Sequence, residues 1–113
     1  MANTSITLTN TTETAAVAAP GSGYSLVIHS ISASNSSGTL TNIEIRSSSG
    51  GTVIVEHSLA ASGGGFVETY GRAKNDGTIP EGIRLGDNAA LTAQLSGSVT
   101  SVFVNVCYSI VRN

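Results

Sequence analysis

The chain has 113 residues, 40% hydrophobic, 4% aromatic and 11% charged, with a formal net charge of −2. That length makes one domain able to bury a core without staples, but with two Phe, three Tyr and no Trp the core must be built from Val, Ile, Leu and Ala. Five basic residues among seven acidic ones exclude the clustered basic face that nucleic acid requires, and one cysteine excludes an internal disulfide.

Residues 1–20 read as a polar arm with two short edge strands, in which Ile6 and Leu8, then Ala15, Val17 and Ala19, alternate with Thr and other small residues around Asn10-Thr11-Thr12. Free in water such an arm is poorly ordered, so a neighbour is expected to hold it. Its start lacks the basic and apolar regions of a secretion signal, and no apolar run approaches the roughly 20 residues of a membrane helix. Residues 21–113 are expected to form a single β-sandwich domain.

Residues 24–34 carry apolar side chains on both faces, as a central strand does. In residues 40–46, Thr41, Ile43 and Ile45 point inward, with Asn42, Glu44 and Arg46 outward. Ser47-Ser48-Ser49-Gly50-Gly51 then reverses the chain into residues 52–59, which gives a hairpin. A glycine run, Gly63-Gly64-Gly65, leads into a strand at residues 66–70. Residues 71–82 read as a loop, Ile83 and Leu85 flank Arg84 in a short strand, and residues 89–95 alternate again. Last comes the cleanest pattern: Val102, Val104, Val106, Tyr108 and Ile110 on a core face, against Phe103, Asn105, Cys107, Ser109 and Val111 on a mixed one. About eight short strands with turns between them predict an all-β fold, an antiparallel β-sandwich of jelly-roll type.

No constellation here carries chemistry. His29 and His57 sit in separate strands, too few and too scattered with Cys107 for a zinc site, and read as half-buried, hydrogen-bonded histidines. Glu44 and Glu56 face each other across the hairpin as a glycosidase pair would, but Arg46 on the same face makes a cross-strand ion pair the simpler reading. The glycine run lacks the helix and the Lys-Ser/Thr of a phosphate loop, and Cys107 is a small mid-strand residue. Neither a catalytic residue nor a cofactor or metal site is expected.

Leu59-Ala60-Ala61-Ser62-Gly63-Gly64-Gly65, Ile83-Arg84-Leu85-Gly86, Ala90-Leu91-Thr92-Ala93-Gln94-Leu95-Ser96-Gly97-Ser98-Val99, and Val102-Phe103-Val104-Asn105-Val106 with Tyr108 resemble, in combination, small virion proteins of tailed bacteriophages. The resemblance spans residues 38–112, and the group includes the capsid decoration, or cement, proteins. It implies a non-enzymatic β-sandwich on the outside of the phage capsid, made in the host cytoplasm, that self-associates as a homotrimer and binds the major capsid protein, with neither nucleic acid nor a membrane as partner. The chain departs from that pattern in the charged loop at residues 71–81 and in Cys107-Tyr108, where Gly is expected before the aromatic. Under this reading the contact residues are Ile6 and Leu8 of the arm, Arg72, Lys74 and Asp76 of the charged loop with Arg84 just beyond it, and Asn105, whose mixed face is expected near a subunit boundary. The alternative is a glycan-binding or adhesin module of a tail or fibre, for which Tyr24, Phe66 and Tyr70 are the candidate aromatic platforms.

Overall fold

A computed structural model of the chain describes residues 2–71 and 82–113, and every element among them is a β-strand. In chain order these are β1 (Ala2–Leu8), β2 (Thr14–Val17), β3 (Tyr24–Asn35), β4 (Thr41–Ser47), β5 (Thr52–Leu59), β6 (Gly64–Thr69), β7 (Ile83–Arg84), β8 (Leu91–Leu95) and β9 (Val102–Arg112). They form two antiparallel sheets. The first has the order β1-β9-β3-β6, with β7 also pairing β3; the second has the order β2-β8-β4-β5. Each sheet interleaves strands from the beginning, middle and end of the chain, the wrapped order of the predicted jelly roll.

The side-chain period of two drives this arrangement, because each sheet has one face to bury. Ile43 and Ile45 of β4, Leu91, Ala93 and Leu95 of β8, and Leu59 of β5 point from the second sheet into the core. Val102, Val104 and Val106 of β9 meet them from the first sheet, with Ile28 and Ile31 of β3 beside them. Burying each such aliphatic side chain contributes about 1.5–3 kcal/mol. At the corner where the chain leaves β3 for the second sheet, Asn35 is wholly buried. Its amide donates to the carbonyls of Thr39 (2.8 Å) and Leu59 (3.2 Å), and its oxygen accepts from the Ser37 amide (3.0 Å) and hydroxyl (2.6 Å). A polar side chain at zero exposure is tolerated there because it is fully bonded.

Three expectations change. The neighbour that orders the first residues is a strand of the same chain: β1 pairs β9 in unbroken register from Ala2 opposite Tyr108 to Leu8 opposite Val102. Ile110, expected in the core, is 54% exposed. It keeps the inward parity, but β9 has 11 residues against 5 in β8, so its last part outruns the opposing sheet. The third change is in β3, where Ile28 pairs Tyr108 and Ser30 pairs Cys107, leaving His29 as an extra residue. This bulge reverses which residues face the core, Leu26 and Ile28 before it, Ile31 and Ala33 after it. His29 is consequently 2% exposed rather than half-buried, with Nε2 2.8 Å from the Ser109 hydroxyl.

Candidate assembly face

Residues paired directly across antiparallel strands point to the same side of the sheet. The ladders of the first sheet therefore set out three rows of four on its outer face: Thr7-Phe103-Ser34-Gly65, Ser5-Asn105-Ser32-Val67 and Asn3-Cys107-Ser30-Thr69. No ionisable acid or base other than the Cys107 thiol stands in these rows. The polar groups are hydroxyls and amides, and the Ser5 hydroxyl donates to Asn105 Oδ1. The apolar groups are the Phe103 ring, 45% exposed, and Val67, 76% exposed. Gly65 leaves a shallow depression of about 480 Å³ between Ser34 and Val67. Only glycine fits there, since a Cβ would lie 2.2 Å from the carbonyl oxygen of Ala33.

The outer face of the second sheet is built differently. Asn42, Glu44, Arg46, Glu56, Gln94 and Ser96 line a half-open groove of about 360 Å³. Arg46 is its organiser. Its guanidinium bonds Glu44 on the same strand, donates to Gln94 Oε1 at 2.7 Å and stands 3.7 Å from Glu13 Oε1. The sequence predicts an ion pair across the hairpin; instead the Arg46–Glu44 pair runs along β4, and Glu56 stands directly opposite Glu44 with no ion pair among the described residues. Glu13 also accepts from the Thr92 hydroxyl (2.5 Å) and the Gly50 amide (3.1 Å), so it clasps the turn between β4 and β5. The Thr92 hydroxyl above all, then the Gly50 amide and the Arg46 charge, hold its carboxyl below the ordinary range.

Where the two sheets come together at β5 and β6, the His57 ring stacks on Phe66 with centroids 4.1 Å apart. His57 Nε2 lies 2.8 Å from Glu68 Oε1, and the Tyr70 hydroxyl donates to Glu68 Oε2 at 2.7 Å. The Tyr70 bond first and His57 second lower the Glu68 carboxyl below its ordinary range. Burial, then that carboxylate, raise the Tyr70 hydroxyl above its own. Phe66 and Tyr70 are thereby occupied within the fold, and Tyr24, 42% exposed, lies at the far end of β3.

Of the contact residues expected from the sequence, Asn105 stands at the centre of the uncharged face. Ile6 is half-buried against the core and Leu8 is inside it, 4% exposed. Arg84 is exposed beside Val27 at the other end of β3, where its guanidinium donates to Asn113 Oδ1 at 2.7 Å. Arg72, Lys74 and Asp76 lie outside the described residues. Ser5, Ser32, Val67 and Phe103 join Asn105 only through strand pairing. Their outward parity is visible in the sequence, but their adjacency is not.

No protein-family model matches the chain, and no curated protein does. Some solved structures show a distant likeness to it. One is from the disulfide-linked pili of Bacillus endospore appendages, at 17% identity over 96% of this chain and 87% of that one, with a TM-score of 0.41. Another is from the virus-like particle of the giant freshwater prawn (Macrobrachium rosenbergii) extra small virus, at 9% identity over 97% and 79% of the two chains, with a TM-score of 0.39. A third, from infectious bursal disease virus, Gx strain, is 12% identical over 93% of this chain and 31% of its own, with a TM-score of 0.26. No functional residue is carried across from any of them.

Proposed function

We propose that the protein is a non-enzymatic virion component, a capsid decoration protein that associates with copies of itself as a trimer and binds the major capsid protein on the outside of a phage head. The observation that carries this is on the outer face of the first sheet, where three successive rows hold no carboxylate, ammonium or guanidinium. Charged side chains are depleted at the centres of protein interfaces because they cost free energy to desolvate. Hydroxyls and amides pair there at little cost, and Phe103 and Val67 add apolar area. The solvated face of a monomer usually carries charge, as the second sheet does. The sequence resemblance over residues 38–112 supports the same reading.

The test is a mass measurement by light scattering together with binding to expanded phage capsids. Wild type is expected to be multimeric and to bind saturably. Asn105→Lys places an ammonium at the middle of the face and is expected to weaken both associations at least tenfold, with an unchanged far-ultraviolet spectrum. A purely monomeric wild type that leaves capsids bare would sink the proposal.

A second reading, a glycan-binding or adhesin module of a tail or fibre, draws on Phe103, an exposed ring flanked by Thr7, Ser34 and Asn105. Saturable binding on a glycan array that Phe103→Ala abolishes would favour it over the first.

A further inference from the structure

We infer that copies of this chain join edge to edge, the free edge of β1 in one copy pairing antiparallel with the free edge of β6 in the next, so that the first sheet runs on between protomers. This rests on the proposal that the protein self-associates, and it names the surface and the partner, a second copy of the chain.

Strand polarity permits the junction. β1, β9, β3 and β6 are each antiparallel to the next, so β1 and β6 run in opposite directions. A second copy in the same orientation therefore presents its β6 antiparallel to β1. The lengths match as well, 7 residues against 6. Among the described residues no strand pairs the outer side of either.

Among the described residues these two edges are also unguarded. Soluble proteins protect open sheet edges with charges, prolines, bulges or very short strands. β1 reads Ala-Asn-Thr-Ser-Ile-Thr-Leu and β6 reads Gly-Gly-Phe-Val-Glu-Thr, and both ladders run without a register shift. The one charge, Glu68, lies on the inner parity opposite Ile31 and is held by His57 and Tyr70. The second sheet differs at both of its edges: β2 has 4 residues and a register shift, and the β4–β5 ladder is shifted where Val55 and Val53 pair successive residues. Among the described residues one sheet is terminated and the other is left open.

The unlike pairing is favoured over β1 against β1. A two-fold contact of β1 with itself stops at a dimer and leaves β6 bare. A contact between unlike edges covers both kinds at once, and it closes into a ring when the rotation is 120°, or extends as a filament when it does not close.

Disulfide trapping tests this. Within one copy β1 and β6 are three strand spacings apart, about 14 Å, twice the Cα separation of about 7 Å that a disulfide spans. In a Cys107→Ser background, Val67→Cys is combined in turn with Asn3→Cys, Ser5→Cys or Thr7→Cys, all on the exposed outer face, to sample the registers. After oxidation of the dilute protein, at least one double variant is expected to give covalent dimers and trimers on a non-reducing gel, while the single variants do not. Ladders beyond the trimer uphold the junction and replace the ring by a filament. A multimeric wild type whose double variants cross-link no better than the singles overturns the junction and leaves self-association standing. Efficient dimers from Ser5→Cys alone mean β1 against β1 and overturn it too. A monomeric wild type removes both proposals.

Discussion

The two outer faces of this sandwich are products of one alternating pattern put to opposite uses. In the three outer rows of the first sheet the residues are Ser, Thr, Asn, Gly, Cys107 and two apolar groups, and both edge ladders run without a register shift. On the second they include Glu44, Arg46, Glu56 and Gln94, with Glu13 folded over them, and both edge ladders carry irregularities. Both sheets send Val, Ile and Leu inward, so the core does not distinguish them. A chain with few charges thus keeps one side solvated by concentrating them there, and leaves the three outer rows of the first sheet free of ions, with the charge of Arg84 beyond them at the far end of β3.

The largest expected effect comes from disturbing the regular sheet. Gly65→Ala puts a Cβ 2.2 Å from a backbone oxygen of β3, so β6 must move away. Overpacking of this kind costs about 3 kcal/mol, read as a lower urea midpoint, and multimers are expected to be lost with it. Gly97→Ala, where a Cβ has nothing within 4 Å, is the matched control. Equal midpoints for the two variants would show that the close approach of β6 to β3 does not matter.

On the charged side the sharpest change is Arg46→Ala. It strands Glu44 and Glu13, both partly buried against it, and removes the donor to Gln94. Hydrogen bonds to charged groups are each worth about 2 kcal/mol net, and a destabilisation of that order is expected without change in oligomeric mass. On the uncharged side, Ser32→Ala should change stability by less than about 0.5 kcal/mol. If the two substitutions cost the same, the contrast between the faces is not energetic.

Much of this contrast is legible in the sequence, and the part that is not has a physical cause. The alternation of residues 40–46 and 102–106 fixes which side chains enter the core, because a period of two survives wherever one face is buried. The same period fails to place Ile110 and His29, since strand length relative to the opposing sheet and a one-residue bulge are properties of pairing. Pairing also hides the uncharged face. Ser5, Ser32, Val67 and Asn105 are far apart in the chain and meet only because β1, β9, β3 and β6 are neighbours. Asn105 was accessible to sequence reasoning through its outward parity, whereas Leu8, equally alternating, is inside the core.

A smaller effect separates the faces by pH. Glu13, on the charged side, has its carboxyl held below the ordinary value of 4.5, chiefly by the Thr92 hydroxyl. A depressed folded value contributes stability that is present above the ordinary value and is lost as pH falls through the folded one. Wild type is therefore expected to exceed Glu13→Gln in urea midpoint at pH 7, with the gap closing in acid below pH 4.5. A gap that stays constant down to pH 2 would mean that the charge of Glu13 is not what holds the turn.

The smallest change is the most informative about the groove. Glu56 and Glu44 are direct cross-strand partners, and Arg46 bonds only Glu44 of the two. Like charges directly opposed are destabilising by about 0.2–1 kcal/mol, so Glu56→Gln is expected to raise stability by roughly 0.5 kcal/mol. Because both groups reach solvent, the gain should shrink as salt rises towards 1 M, where the screening length falls to about 3 Å. A gain that ignores salt would point to hydrogen bonding in place of repulsion. A loss would be the more consequential result, because it would mean that Glu56 accepts a hydrogen bond or ion pair that outweighs its repulsion from Glu44. If that loss appeared only at protein concentrations where the wild type is multimeric, the partner would lie in a second copy, and the charged face would then share in the assembly assigned to the uncharged one.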